Sequence, residues 1–309
     1  MNEKPGLLKN YKIGVLAGGS SSEREISLKS GEAVFRAFQE TGLNVVFIDV
    51  KEHDFSFQID RSGIDAAFIA LHGRFGEDGT VQKILEEKNI YYTGSDPESS
   101  AQALDKLASK KRFRDEGIRI PGYRLVRAGE DISCSDIRVP CVAKPRYEGS
   151  SLGLSIVLSK DRIRTAVDKA AEFGEEIIME EFVPGREITV GVLDGAPLPV
   201  VEIVTADGIY DYGAKYQSDD TEYVVPAGLN EVEYRRAQEA GLKAHAALGC
   251  RGVSRVDMRL SDKGEIFVLE VNTIPGLTER SLLPMAAKAS GMDFSQLCVK
   301  MLYGAFTES

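Results

Sequence analysis

Cysteine is scarce: Cys134, Cys141, Cys250 and Cys298 are the only four in 309 residues, and no two form a CxxC pair. That excludes a disulfide-rich module, and reduced thiols in a cytoplasmic protein are expected. No apolar run approaches the ~20 residues that span a bilayer. The opening MNEKPGLLKNYK has no apolar signal core, so nothing marks export. Basic residues are outnumbered, 38 against 48, for a net charge of −10. This argues against a general nucleic-acid binder, although local Lys and Arg can still hold phosphates. GK[ST] is absent and the glycine turns lack GxGxxG spacing, so neither a Walker A loop nor a dinucleotide fingerprint is supported. Internal repeats and low-complexity tracts are missing as well. What remains is 43% apolar and 28% charged, the composition of a soluble globular chain long enough for two or three domains.

The chain opens on a βαβ pattern. An apolar run, Tyr11–Ala17, ends in Gly18-Gly19-Ser20-Ser21-Ser22. A helical pattern (23–39) and a strand (45–50) follow,. A second strand, 64–71, ends in HGRFGEDG. Ligands in open α/β sheets bind beyond the carboxyl ends of strands, which puts both polar turns in a functional position. Glu23 and Glu25 also read simply as first-turn acids favouring the helix dipole. A first domain to about Ala103 is expected. The basic helix 104–116 reads mostly as a solvated face. Lys144 closes the strand 140–144 and enters PRYEGSSLG, a Gly/Ser loop before the strand 154–158. Such a loop can aim backbone N–H groups at an anion. Its Gly149-Ser150-Ser151-Leu152-Gly153 matches the GxSxG nucleophile elbow formally. A strand follows where that elbow needs a helix, and the only later histidine is His245, so a hydrolase is rejected. Glu180, Glu181 and Glu187 gather around Pro184-Gly185 as edge charges or as an adenine and ribose site at a hinge. Thr205–Asn230 lacks periodicity and carries four tyrosines and Lys215; loops this long are often active-site lids.

The densest stretch is VSRVDMRLSDKGEIFVLEVNTIPGLTERSLLP, 253–284. Two alternating runs flank Ser261-Asp262-Lys263-Gly264, a hairpin signal. Arg255 and Asp257 share one face, as do Glu270 and Asn272. If those four residues form the turn, Arg255 faces Glu270 and Asp257 sits on the diagonal, at roughly 7–8 Å. Two carboxylates and an amide oxygen are a donor set for a hard cation such as Mg²⁺. The alternative is a polar sheet face with Arg255–Glu270 pairing.

GGSSSEREISLKSG, HGRFGEDGT, KPRYEGSSLG, DYGAKY, GCRGVSRVDM and LEVNTIPGLTERSLLP, in this order over nearly the whole chain, resemble the D-alanine–D-alanine ligases of the ATP-grasp superfamily. The resemblance implies an α/β fold of three domains: an N-terminal Rossmann-like parallel-sheet domain (1–103), a central ATP-grasp lid (104–190) and a C-terminal catalytic domain (191–309). It implies ATP-dependent ligation of two D-alanines through an acyl phosphate, for peptidoglycan, by a cytoplasmic homodimer. Lys106, Lys144 and Lys215 would contact ATP phosphates under the flap Glu148–Leu152, which includes Ser151. Glu180 and the adjoining Glu181 would meet adenine, and Glu187 the ribose. Asp257, Glu270 and Asn272 would hold two Mg²⁺ ions, a place Mn²⁺ could also take. Glu23, in a network with Ser150 and Tyr216, would bind the first D-alanine near His72. Ser281 and Leu282 would receive the second D-alanine's carboxylate, and Arg255 with the Gly276 N–H would stabilise the oxyanion. The chain departs from the family at Gly213, where many relatives carry an acid, and at Arg146-Tyr147 before the flap. Tyr216 is retained, which favours an amine over the hydroxyl of D-lactate; D-lactate and D-serine are the alternative acceptors.

Overall fold

The computed structural model describes residues 7–130, 137–205, 221–278 and 280–306. They form three sheets. The first contains β1 (Lys12–Gly18), β2 (Asn44–Val50), β3 (Ala66–Ile69) and β4 (Tyr91–Tyr92), all parallel, in the order β2-β1-β3-β4. β1 is buried from Ile13 to Gly18, because a parallel strand is covered on both faces and so reads as a continuous apolar run. The helix Arg24–Glu40 follows β1 at the expected place. Three eight-residue helices, Phe55–Ser62, Thr80–Glu87 and Pro97–Leu104, add to those the sequence pattern predicts; two turns of helix give too short an apolar period to read. The basic helix expected at 104–116 begins after a break. Asp105 has extended backbone and caps the helix Lys106–Asp115, accepting from the N–H groups of Leu107 and Ala108 at 3.0 and 3.2 Å.

The second sheet contains β5 (Tyr123–Arg127), β6 (Cys141–Pro145), β7 (Ser155–Val157) and β8 (Glu176–Glu181), antiparallel, in the order β5-β8-β6-β7. The helix Ile163–Ala171 covers one face and buries Ile163, Ala166, Val167 and Ala170 against it. In the third sheet, β9 (Gly185–Leu193) pairs with β10 (Ala196–Pro197) and with β11 (Val201–Val204). β12 (Glu222–Val224), β13 (Val253–Ser261) and β14 (Ile266–Asn272) complete the order β12-β11-β9-β13-β14, again antiparallel. The boundary expected at 190 falls inside β9, so the third sheet begins at Gly185. Part of the expected irregular stretch 205–230 is also strand, because β12 pairs with β11; residues 206–220 lie outside the described residues.

One face of the third sheet is closed by the helix Glu231–Ala247. Val256, Met258, Val268 and Val271 meet Ala237 and Ala244 there. The C-terminal helices Leu282–Ala289 and Phe294–Gly304 return to the first sheet, joining Val15, Phe38 and Phe68 to Leu193, Leu283 and Leu302 in one core. That packing fixes the first and third sheets relative to each other. Cys141, Cys250 and Cys298 are buried free thiols, and Cys134 lies outside the described residues. No helix among the described residues is long and apolar enough to cross a membrane.

Candidate active site

The hairpin forms with a register different from the expected one. Ser261 N–H donates to Glu265 O at 2.8 Å, so the loop is Asp262-Lys263-Gly264 with Gly264 left-handed at φ 73°, a three-residue hairpin. That pairing gives Leu260–Ile266 and Met258–Val268. Continued unchanged, it would turn Glu270 and Asn272 to the helix-covered face. A bulge intervenes: Leu269 is an extra residue, and Asp257 pairs with Glu270 and Arg255 with Asn272. One inserted residue reverses which side of the sheet the following side chains take. Arg255, Asp257, Glu270 and Asn272 thus share the open face, with Asp257 directly opposite Glu270 rather than diagonal to it.

Cross-strand Arg255–Glu270 pairing is replaced by a pair along the strand. Arg255 donates to both Asp257 oxygens, at 2.8 and 2.7 Å, and Thr189 Oγ1 on β9 donates to Asp257 Oδ1 at 2.7 Å. Lys106 Nζ lies 3.5 Å from Glu270 Oε2. Two facing carboxylates and the Asn272 amide are oxygen donors of the kind a hard divalent cation takes, so these residues fit a metal. Among the described residues no group of three or more His, Cys, Asp or Glu could hold an ion, so the set on this face counts two carboxylates and one amide.

Beside this face lies a cavity of about 580 Å³ whose walls include Glu23, His72, Ser150, Arg255, Gly276 and Ser281. Ser150 Oγ donates to Glu23 Oε1 across the gap between second and first sheets. Ser150 and Ser151 both take left-handed backbone, φ 47° and 58°, a cost tolerated where the surroundings fix it. At the far end Ser281 precedes the helix Leu282–Ala289, and its Oγ accepts from Thr278 N–H at 3.0 Å. A Cβ on residue 276 would come within 2.8 Å of Ser281 Oγ, so Gly276 lets the backbone approach.

His72, at the end of the first sheet, is 5% exposed. Its Nδ1 is 3.7 Å from Glu77 Oε1 and its Nε2 3.2 Å from Ser30 Oγ. Burial opposes the imidazolium, but the hydrogen bond and charge of Glu77, with Glu23, raise His72 above its ordinary 6.5. Glu77 is raised too, by burial first and by Glu23, while His72 pulls it down. Folding therefore tightens proton binding at both groups. The stabilisation from His72 is full below pH 6.5 and is lost as pH rises through its folded value,. Unfolding free energy, measured with urea from about pH 5 to 9, is expected to fall across that rise, and His72→Gln to flatten the fall.

A narrower cavity, about 110 Å³, separates the second and third sheets. Lys106, Lys144, Ser151, Glu180, Glu181, Glu187, Asp257 and Glu270 line it. Glu180 is held between two ammoniums: Lys144 Nζ at 2.6 Å from Oε2, and Lys110, which donates to Oε1. Burial works against the Glu180 carboxylate, yet Lys144 and Lys110 outweigh it and lower its pKa. The lysines diverge. Burial prevails at Lys110 and lowers it, whereas at Lys144 the charges of Glu180, Glu270 and Glu187 overcome burial and raise it. Glu187 pairs with Arg259 at 3.1 Å. Lys106 donates to Glu148 O at 2.5 Å, tying it to the flap.

Lys110 is interior rather than part of the solvated face that the basic pattern predicts. Lys106 and Lys110 are one helical turn apart and both buried, and Asp-Lys-x-x-x-Lys was the available signal. Arg146, noted only as a departure, bridges two elements. It donates to both Asp105 oxygens and, at 2.6 Å, to Glu176. Arg146→Ser should cost about 1.5–3 kcal/mol of unfolding free energy, the usual worth of hydrogen bonds to charged groups. A urea-measured loss under about 0.5 kcal/mol would deny the bridge that role. Lys215, Tyr216 and Gly213 lie outside the described residues, as do Tyr210 and Tyr212.

Two antiparallel sheets facing one another across a cleft lined with lysines and acids, beside a parallel-sheet domain, form the ATP-grasp architecture. Residues 117–303 match the family described as D-ala D-ala ligase C-terminus, and residues 53–95 the D-ala D-ala ligase N-terminus. A D-alanine–D-alanine ligase of Syntrophotalea carbinolica is 45% identical over 298 residues, covering 96% of this chain and 97% of its own. Among solved structures, the Bacillus anthracis D-alanine–D-alanine ligase complexed with ATP superposes with a TM-score of 0.84 at 34% identity, over 96% of this chain and 97% of that one. The VanG D-Ala:D-Ser ligase of Enterococcus faecalis reaches 0.80 at 30% identity, over 95% and 99%. The chain belongs to the D-alanine–D-alanine ligase family.

Proposed function

We propose that the protein joins two D-alanine molecules to D-alanyl-D-alanine at the expense of ATP, through an acyl phosphate, in the cytoplasm and for peptidoglycan synthesis. The observation that carries this reading is a shared wall. Lys106 and Glu270 line both the narrow cavity and the large one, so a group in one can be handed to a molecule in the other. A carboxylate resists attack by an amine until one oxygen becomes a leaving group. Phosphoryl transfer across the shared wall would supply that, and protein residues contribute mainly position and charge to such transfers.

In this reading Glu23, steadied by Ser150, binds the first D-alanine's ammonium. Lys106, Lys144 and Lys215 meet the phosphates of ATP, Glu180 and Glu181 border the adenine, and Glu187 faces the ribose. Asp257, Glu270 and Asn272 would hold Mg²⁺, two ions by resemblance, which neutralises charge on the transferring phosphoryl group. The N-terminus of Leu282–Ala289 with Ser281 receives the acceptor's carboxylate, where backbone N–H groups and the helix dipole favour an anion. The acceptor's amine then attacks, and Arg255 and the Gly276 N–H meet the oxyanion. The narrow cavity is below the ~300–1,000 Å³ usual for ligand pockets, so ATP would enter as the two sheets part. Reclosure would keep water from the acyl phosphate. The three units assigned to these tasks are the first sheet to about residue 104, the second from there to Glu181, and the third from Gly185. A homodimer is the proposed assembly.

The test is ADP release by the purified protein with D-alanine alone, with D-alanine plus D-lactate or D-serine, or without either substrate. Release stimulated by D-alanine is expected. Stimulation that additionally requires D-lactate or D-serine would replace the dipeptide reading by that of another acceptor. ATP binding with no stimulated turnover would sink the ligase reading.

A further inference from the structure

Lys110 is buried completely and lines neither of the two cavities, so it does not border the space a ligand would take. It nevertheless spends its ammonium on Glu180, the carboxylate at the cavity wall, with the Tyr123 ring 5.6 Å away on another side. The second lysine on Glu180 differs in one respect. Lys144 lines the narrow cavity together with Glu180, 2.6 Å from its Oε2. One carboxylate therefore carries two ammoniums, one sealed in the interior and one at the wall.

A single lysine would suffice to neutralise Glu180. A buried carboxylate left without a counter-ion is strongly unfavourable, so with Lys144 as sole partner that lysine could not leave Glu180. With Lys110 in place, Glu180 keeps a counter-ion when Lys144 turns away, and the Lys144 ammonium then faces only the cavity wall, where Glu187 and Glu270 hold it charged. We propose that Lys110 is a positioning residue that acts through Glu180: by serving as its fixed counter-ion, it frees Lys144 to turn to a nucleotide phosphate. The fixed partner comes from the helix Lys106–Asp115, the mobile one from the end of β6. The same helix presents Lys106 to the shared wall one turn earlier, so one element supplies both a phosphate contact and the counter-ion that frees the next.

This inference rests on the cavity between the second and third sheets taking ATP. Its test reads ATP binding by calorimetry alongside steady-state ADP release, so the two readings can fail separately. Lys110→Met keeps side-chain length and removes the charge. It is expected to raise the Kd and KM for ATP about tenfold, or about 1.4 kcal/mol, with the KM for D-alanine within about twofold of the parent. In the Glu180→Gln background there is no buried charge to neutralise, and there Lys110→Met should change ATP affinity less than about twofold. That background also guards against a fold lost to an uncompensated Glu180. An unchanged Kd for ATP in folded Lys110→Met overturns the proposal. So does an equal loss in both backgrounds, or a parallel rise in the KM for D-alanine, each of which marks a merely structural lysine. If the parent protein binds ATP but shows no D-alanine-stimulated ADP release, the ligase reading fails while this inference stands.

Discussion

In Arg255→Met, kcat for D-alanine-dependent ADP release is expected to fall by about 10²–10³, the usual cost of one oxyanion donor. Arg255 is 14% exposed at its side chain and lines the large cavity beside Gly276 and Ser281. In the proposed reaction a guanidinium there would meet negative charge that exists only while the amine attacks, so the loss belongs in kcat more than in KM. The arginine has a second tie that must be separated from the first, its two bonds to Asp257. Removing it leaves Asp257 more strongly negative. The Mg²⁺ concentration at half-maximal rate should therefore stay constant or drop. If it rises with the loss of kcat, Arg255 serves the metal face rather than the oxyanion.

Asp257→Asn should move the same quantity in the opposite direction. Substituting a residue that only orients a metal ligand commonly costs 10–100-fold in affinity or activity, so losing a charged ligand should raise half-saturating Mg²⁺ at least ~10-fold. Turnover at saturating Mg²⁺ should fall as well, since Asp257 faces Glu270 directly across the strands. Thr189 and Arg255 can still hydrogen-bond the amide oxygen, which limits the damage to the fold. Titrating Mg²⁺ in both variants gives a paired readout. An unchanged Mg²⁺ requirement in Asp257→Asn would remove that residue from the donor set.

Much of the site was legible because it is local. Asp257 two residues after Arg255, and Asn272 two after Glu270, share faces by strand geometry alone. The four residues 261–264 announced the hairpin. The pairing across it was not legible, since the Leu269 bulge is an accommodation between β13 and β14 that no residue type announces. Without the bulge the same four side chains would be divided between cavity and core. The helix 106–115 shows a similar limit. Its basic residues look solvated because the partner that buries Lys110 lies 70 positions away. Likewise Ser150 meets Glu23 over 127 positions, a contact suggested by resemblance and by nothing in either segment.

The sequence by itself determined the order of motifs, the acid–amide strands, the glycine flap and the family they resemble. These depend on residue type and on spacings within one element, where backbone geometry is nearly fixed. Only the tertiary structure decided that Asp257 faces Glu270, that Glu180 is shared by two lysines, and that two cavities meet at Lys106 and Glu270. Those facts depend on register and on packing between distant segments, where one inserted residue or one buried counter-ion changes which groups face each other.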